Sequence, residues 1–359
     1  MKIVCIGNNK VTEPFYKELS RHADVTIFNY GTNDLQVEQT VLPAGPVLIG
    51  KFLKERQTMK PYYLKGLRNK IETIEPDVII VMDFVRLWFL QALSHRLKNT
   101  NCKLILWSET KAVPKSFASR LLFYPLYFTV YILKKHINSV LVYTVQGKDW
   151  FEKNFALASR VVAPSVNTTL FNNKATPDIS NMLNILCSAR LESYKRIDDL
   201  IRALSYLSHS DMNKVHVTIL GDGSLRKRLE KDVKSRGLEN TVTFIRRVPH
   251  EKTVDIYNDH DALVLCSYNE AIGRVVPEAM ACGLATITSD TVGANAYVKE
   301  GVTGWVYRTG DIQELSDILR LCIRNKSEVR TRGLAANEHI RTNFKHADVL
   351  KEFVNVVTR

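Results

Sequence analysis

Short continuous apolar runs, not alternating ones, mark the first half of the chain. Lys2–Ile6 and residues 25–29, 77–82, 104–107 and 139–143 are such runs, separated by stretches long enough for helices. Runs of this kind predict parallel strands covered by helices on both faces. The pattern stops over residues 161–171 (VVAPSVNTTLF), and polar, Pro-containing residues continue to about 181, which predicts a linker over 166–182. A second series then begins. Leu183–Ser188 reads as a strand, and 196–207 as a helix with apolar residues at 197, 200, 201, 204 and 207. Val215–Leu220, Val242–Ile245, 262–266 and 285–288 read as further strands. No repeat of solenoid period is present. The simplest architecture is α/β, with two Rossmann-like doubly wound domains at 1–165 and 183–342 facing a ligand cleft at their strand C-termini. Residues 343–359, apolar at 349, 350, 353, 356 and 357, predict a last helix that packs back across the cleft.

Phe117–Leu133 (FASRLLFYPLYFTVYIL) fits this scheme less simply. It contains Arg120 and a central Pro125 and is followed by Lys134 and Lys135. A spanning helix needs ~20 apolar residues, so two readings remain: a buried helix of the first domain, or an interfacial helix on an anionic membrane. Charge bears on the choice. The chain has 359 residues and a net charge of +13, but residues 1–165 hold 23 Lys/Arg against 13 Asp/Glu, and 166–359 hold 27 against 24. The excess in the first half points to an anionic partner there. With 45% apolar and 24% charged residues the chain reads as globular, not disordered. Its six cysteines form no CxxC pair and mostly lie in apolar runs, which predicts buried reduced thiols and a reducing, cytoplasmic compartment. The opening residues read as a buried strand and not as a signal peptide.

Candidate chemistry lies in loops that follow strands. Asn269-Glu-Ala-Ile-Gly-Arg-Val-Val-Pro-Glu278 puts Glu270 in a loop, Gly273 at a helix start and Glu278 on the helix. Two such carboxylates can accept hydroxyl hydrogen bonds from a sugar and a ribose, although early helix glutamates also serve simply to favour the helix dipole. Arg190 and Lys195 follow the strand Leu183–Ser188, where two cations suit a diphosphate. Leu220-Gly-Asp-Gly223 is a tight turn at the same sheet edge. Asp259-His-Asp261 spells a DxD, but it precedes a strand and so lies away from the ligand edge. The nine histidines show no HExxH or other metal-ligand spacing, and Gly7-Asn-Asn lacks the GxGxxG spacing.

In this order the motifs resemble the retaining GT-B glycosyltransferases of glycosyltransferase family four. The resemblance covers about residues 183–340, through SARLESYKRIDDLIRAL, ILGDGSLRKRLE, VTFIRRVPHEKTVDIYNDHDALVLCS and NEAIGRVVPEAMACGLATITSD. The first domain resembles the family only through its opening strand with Gly7, a donor-side position, and the closing VVAPSVNTTLF. The resemblance implies that Arg190 and Lys195 neutralise the departing diphosphate. It implies that Glu270 holds the donor sugar facing the anomeric carbon, with Ile272, Gly273 and Arg274 offering amides. Glu278 would bind the ribose, and Arg247 and Val248 would edge the base. Three departures stand out. Leu284 replaces a usual Pro, the later Gly-Gly…Glu element is reduced to Val292-Gly-Ala-Asn-Ala-Tyr, and no His follows the strand at Trp107-Ser-Glu109-Thr, where Glu109 is the candidate replacement.

The expected activity is therefore transfer of a hexosyl or N-acetylhexosaminyl unit from a UDP- or GDP-sugar to a saccharide or lipid-linked acceptor in cell-surface glycan synthesis. The expectation includes no metal, no other cofactor and no nucleic-acid partner. It allows peripheral contact with the cytoplasmic face of an anionic membrane. The competing readings are a non-catalytic nucleic-acid or phosphate-binding protein, and a nucleotide-sugar epimerase on the same fold.

Overall fold

The computed structural model describes residues 1–7, 12–29, 40–41, 63–82, 84, 87–108, 117–162, 165–173, 182–268, 270, 272–290 and 293–359. The chain divides into two compact units, Met1–Pro164 with Ala347–Arg359, and Ser165–His346.

In the first unit the elements are β1 (Lys2–Ile6), α1 (Glu13–Leu19), β2 (Asp24–Asn29), β3 (Thr40–Val41), α2 (Leu67–Ile74), β4 (Val78–Met82), α3 (Leu87–Lys98), β5 (Lys103–Ser108), α4 (Phe117–Leu133), β6 (Ser139–Val142), α5 (Val145–Phe155) and β7 (Ser159–Val161). All seven strands pair in parallel in the order β3-β2-β1-β4-β5-β6-β7. Every residue of β4 is buried, which is why its sequence is continuously apolar. The order reverses between β1 and β4, and Gly7 ends β1 there with φ +87°. A Cβ at Gly7 would lie 2.9 Å from Cβ of Met82, so only glycine fits this crossing. Thr144 starts α5, its hydroxyl accepting from the Gly147 amide at 3.1 Å.

The second unit contains β8 (Leu183–Ser188), α6 (Ile197–Leu204), α7 (His209–Met212), β9 (Val215–Leu220), α8 (Arg226–Ser235), β10 (Val242–Ile245), α9 (Thr253–Asn258), β11 (Ala262–Leu265), α10 (Val275–Ala281), β12 (Ala285–Ser289), β13 (Gly304–Tyr307), α11 (Ile312–Arg324) and α12 (Lys326–Asn343). Its six parallel strands run β10-β9-β8-β11-β12-β13, so the order reverses between β8 and β11. The expected face of α6 is buried through Ile197, Leu200, Ile201 and Leu204. Two core clusters cover the two faces of this sheet. One lies under α6 and α11, the other under α10 and α12.

Three features differ from the sequence reading. Residues 166–173, expected in a linker, belong to the second unit. Val166 and Phe171 are buried in its core, and Val166 bridges Lys345. Residues 174–181 of that expected linker lie outside the described residues. The last helix, α13 (His346–Thr358), starts three residues later than expected, because 343 still belongs to α12 and Phe344 packs on Tyr297. Ala347–Arg359 belong to the first unit, where Phe353 packs against Phe15 and Trp107. Strands β3, β7 and β13 went unread because they are short and lie at or next to sheet edges.

The helix α4 is covered on one side and exposed on the other. Leu126 and Val130 are buried, and Tyr127 stacks on Phe155 of α5. Tyr124, Phe128, Tyr131 and Ile132, spaced along the opposite side, are exposed, Phe128 by 64%. Among the described residues no helix is long and apolar enough to cross a membrane.

Candidate active site

The reversal between β8 and β11 brings the loops after these strands side by side. After β8 the chain passes Arg190 and makes a 3₁₀ turn, Ser193–Lys195. The next residue, Arg196, takes a left-handed conformation, φ 48° and ψ 40°, that a non-glycine residue adopts only under constraint. The constraint is a two-point ion pair to the fully buried Asp199, with Arg196 Nη2 donating to Oδ1 at 2.9 Å. This turns Lys195 towards the β11 loop, where its ammonium pairs with Glu270. Both side chains are largely enclosed, Lys195 being 11% and Glu270 20% exposed, and Ser267 donates a further hydrogen bond to the same carboxylate oxygen at 3.3 Å. Arg190 does not join this pair. Its guanidinium donates to the Tyr194 hydroxyl, and Tyr194 lies between the two cations, 5.7 Å from Arg190 and 5.3 Å from Lys195.

The Gly-Asp-Gly turn after β9 supports the β8 loop and needs its glycines for that reason. A Cβ at Gly221 would lie 2.0 Å from the Ala189 carbonyl oxygen, and one at Gly223 2.5 Å from that of Leu191. Backbone bonds lock the two loops together, Leu191 N to Asp222 O at 3.0 Å and Leu225 N to Leu191 O at 2.9 Å. The Glu192 carboxylate accepts from the amide and hydroxyl of Ser224.

Beyond Glu270, Ile272 is buried and Gly273 has φ +61° just before α10. Gly293, the remnant of the shortened glycine element, donates its amide to the Glu270 carbonyl at 2.8 Å. Leu284, in place of the usual Pro, uses the amide that Pro would lack to bond Ala279 O at 3.1 Å and close the end of α10.

Glu278 is buried on α10 and held by three side chains. His250 Nε2 lies 3.0 Å from Oε1, Arg274 Nη2 donates to Oε1 at 3.2 Å, and the Tyr257 hydroxyl donates to Oε2 at 3.3 Å. Burial, then the Glu278 charge, pushes the Tyr257 phenol well above its ordinary range, so it stays a neutral donor. Arg274 thus acts here through its side chain, where the sequence suggested only its amide. Arg247 and Val248 lie in the loop after β10, Arg247 exposed and Val248 packed on the core. His250, Tyr257, Tyr194 and Ser267 went unread as site residues. His250 and Tyr257 sit in stretches that looked only like a turn and a helix.

In the first unit, Gly7 stands at the end of β1, where its carbonyl accepts from the Tyr16 hydroxyl at 3.2 Å. Glu109 lies outside the described residues. Within the DxD sequence, Asp261 and His260 make structural contacts. Asp261 Oδ2 accepts from the Asn184 amide at 2.8 Å and pairs with Lys326, and His260 bonds Ile256 and Thr218. Among the described residues no cluster of metal-ligating side chains occurs. All six cysteines are buried and free, as expected. Burial pushes Cys102 up to about 11 and Cys187 to about 12, so neither thiol is a ready nucleophile.

Residues 172–338, which carry all of the second-unit site, match the family described as Glycosyl transferases group 1. The second unit is a group 1 glycosyltransferase domain. Among curated relatives, a D-inositol 3-phosphate glycosyltransferase from Nocardia farcinica is 30% identical over 156 residues, covering 42% of this chain and 35% of that protein. An amylovoran biosynthesis glycosyltransferase from Erwinia amylovora is 28% identical over 195 residues, covering 53% and 48%. The chain thus spans half or less of the length of these relatives. At the level of fold the likeness extends to both units. Anabaena HepE, solved in complex with UDP, superposes with a TM-score of 0.79 at 17% identity, covering 100% of each chain. The fold is GT-B, with the group 1 glycosyltransferase domain as the second unit and a doubly wound sheet in the first.

Proposed function

We propose that the chain is a retaining glycosyltransferase that moves a sugar from a nucleoside diphosphate sugar to a saccharide or lipid-linked acceptor. The observation that carries this reading is the enclosed Lys195–Glu270 pair at the β8/β11 reversal. Without donor the two groups satisfy each other. With donor, Lys195 and Arg190 would meet the diphosphate, and Glu270 would accept hydroxyls of the sugar. As the bond from the anomeric carbon to the phosphate oxygen breaks, negative charge grows on the diphosphate, and the two cations stabilise it more in the transition state than in the ground state. The acceptor hydroxyl forms the new bond on the same face and gives its proton to the leaving phosphate. Glu278 would take the ribose, and Arg247 and Val248 the base. Two protein cations at the diphosphate make a metal unnecessary to this scheme.

The acceptor side of the proposal rests on the first unit. Its charge excess and the exposed aromatic side of α4, with Lys135 just beyond, suit a lipid-linked acceptor at an anionic membrane surface. The amylovoran biosynthesis relative supports a role in cell-surface glycan synthesis. The test is release of nucleoside diphosphate from UDP- and GDP-sugars with and without added saccharide acceptors. Release that depends on acceptor supports transfer, and turnover independent of any acceptor favours the epimerase reading.

A further inference from the structure

The Glu278 carboxylate is the centre of a small cluster drawn from four segments of the second unit. Phe171 precedes β8, His250 stands on the 3₁₀ turn His250–Lys252, Tyr257 is on α9, and Glu278 with Arg274 belongs to α10 and its approach. The His250 ring is held on two sides. It packs on the buried Phe171 ring at 5.2 Å between centroids, and Nε2 meets Glu278 Oε1 at 3.0 Å. Pro249 sets the start of the turn, and the Thr253 hydroxyl donates to the His250 carbonyl at 2.5 Å. A carboxylate offers about four lone-pair positions. His250 and Arg274 take those of Oε1 and Tyr257 takes one on Oε2, so among the described residues one position on Oε2 is left open.

From this geometry we infer that His250 is a positioning residue for the nucleoside half of the donor. It fixes the plane of the Glu278 carboxylate so that the open Oε2 position faces a ribose hydroxyl. The inference rests on the proposed ribose role of Glu278 and adds how that carboxylate is made selective. His250 also follows Arg247 and Val248 by two to three residues, so one short loop would carry both the base edge and the ribose clamp. Arg274 alone is a weaker clamp, because its longer side chain has more rotamer freedom to lose than the His250 ring, which packs on Phe171.

The test uses the whole chain and calorimetric titration with UDP, GDP and their 2′-deoxy and 3′-deoxy forms. Wild type should prefer the ribose form of the bound nucleotide over one deoxy form by about tenfold, the scale of one hydrogen bond to a charged acceptor. His250→Phe keeps the packing on Phe171 and removes the donor. It should cut that preference to about threefold or less and raise the donor KM with kcat little changed. His250→Gln restores an N–H donor and should recover most of the preference. A purely structural role would shift melting temperature but leave the preference intact. Undiminished preference in His250→Phe overturns the clamp, provided that Glu278→Ala abolishes it. If wild type binds no nucleotide or shows no preference, or if Glu278→Ala keeps the preference, the ribose assignment itself fails and the clamp falls with it.

Discussion

Replacing Lys195 by Met removes one half of the most enclosed ion pair at the site and leaves the other half in place. Breaking a fully buried pair from one side costs about 3–5 kcal/mol, because the remaining charge is stranded. Glu270 is 20% exposed and keeps the Ser267 hydroxyl at 3.3 Å, so part of that cost is relieved, and about 2 kcal/mol is expected. For a unit the size of Ser165–His346, each kcal/mol moves the melting temperature by roughly 2–4 °C, which gives a fall of about 4–8 °C. Adding Glu270→Gln removes the stranded charge, and the double variant should recover to within about 1 kcal/mol of wild type. Calorimetric or fluorescence melts of the four proteins, without nucleotide, read this directly. Lys195→Met melting with wild type would mean that the pair is a solvated contact, and a double variant less stable than Lys195→Met would mean that Glu270 is not stranded by its loss.

Three further outcomes follow from the geometry. Gly223→Ala forces a Cβ to within 2.5 Å of the Leu191 carbonyl and should destabilise the second unit by about 1–3 kcal/mol while lowering nucleotide affinity; normal values of both in melts and titration would refute the loop-support role. His95 is 6% exposed and has no hydrogen-bond partner among the described residues, and burial holds its imidazole below the ordinary range. The unfolded chain therefore takes up a proton that the folded one resists, so stability should fall as pH drops below ~6.5, and His95→Phe should flatten that fall; parallel melting curves from pH 7.5 to 5.5 would contradict it. For the membrane proposal, Lys134 is a poor probe because it bonds the Phe155 carbonyl, so Lys135→Glu with Phe128→Ser is the better variant. It should pellet less with anionic vesicles, by about 1 kcal/mol for the lost charge alone, and wild type that stays in the supernatant at low salt would end that proposal.

The elements that the sequence disclosed are those whose environment leaves a one-dimensional trace. β4 and β8 are enclosed by helices on both faces and so read as continuous apolar runs, while β3 and β7, of two and three residues at the sheet edge, leave no such trace. Residues 166–173 read as a linker because Val166 and Phe171 are buried singly within a polar stretch, without period. In α4 both sides are apolar, so composition could not say which side is covered, and only packing on α5 separates Leu126 and Val130 from Phe128. At the site, Arg190, Lys195 and Glu270 stand out in the sequence as charged residues in loops after strands, whereas Glu278, on α10, is singled out by its spacing from Glu270 and by the family resemblance. His250 and Tyr257 do not stand out, because their role appears only when residues 28 and 21 positions away from Glu278 fold onto it.

The central claim is that the loops after β8 and β11 form a nucleotide-sugar donor site, and a thermal-shift panel of UDP-, GDP- and ADP-sugars tests it most directly. A donor at a hundred times its Kd should stabilise the protein by about 2.7 kcal/mol, a rise of several degrees. One base class should stabilise wild type selectively, with the shift reduced in Arg190→Ala and in Glu278→Ala. No shift with any of the three donor classes, or an undiminished shift in both variants, would contradict the claim.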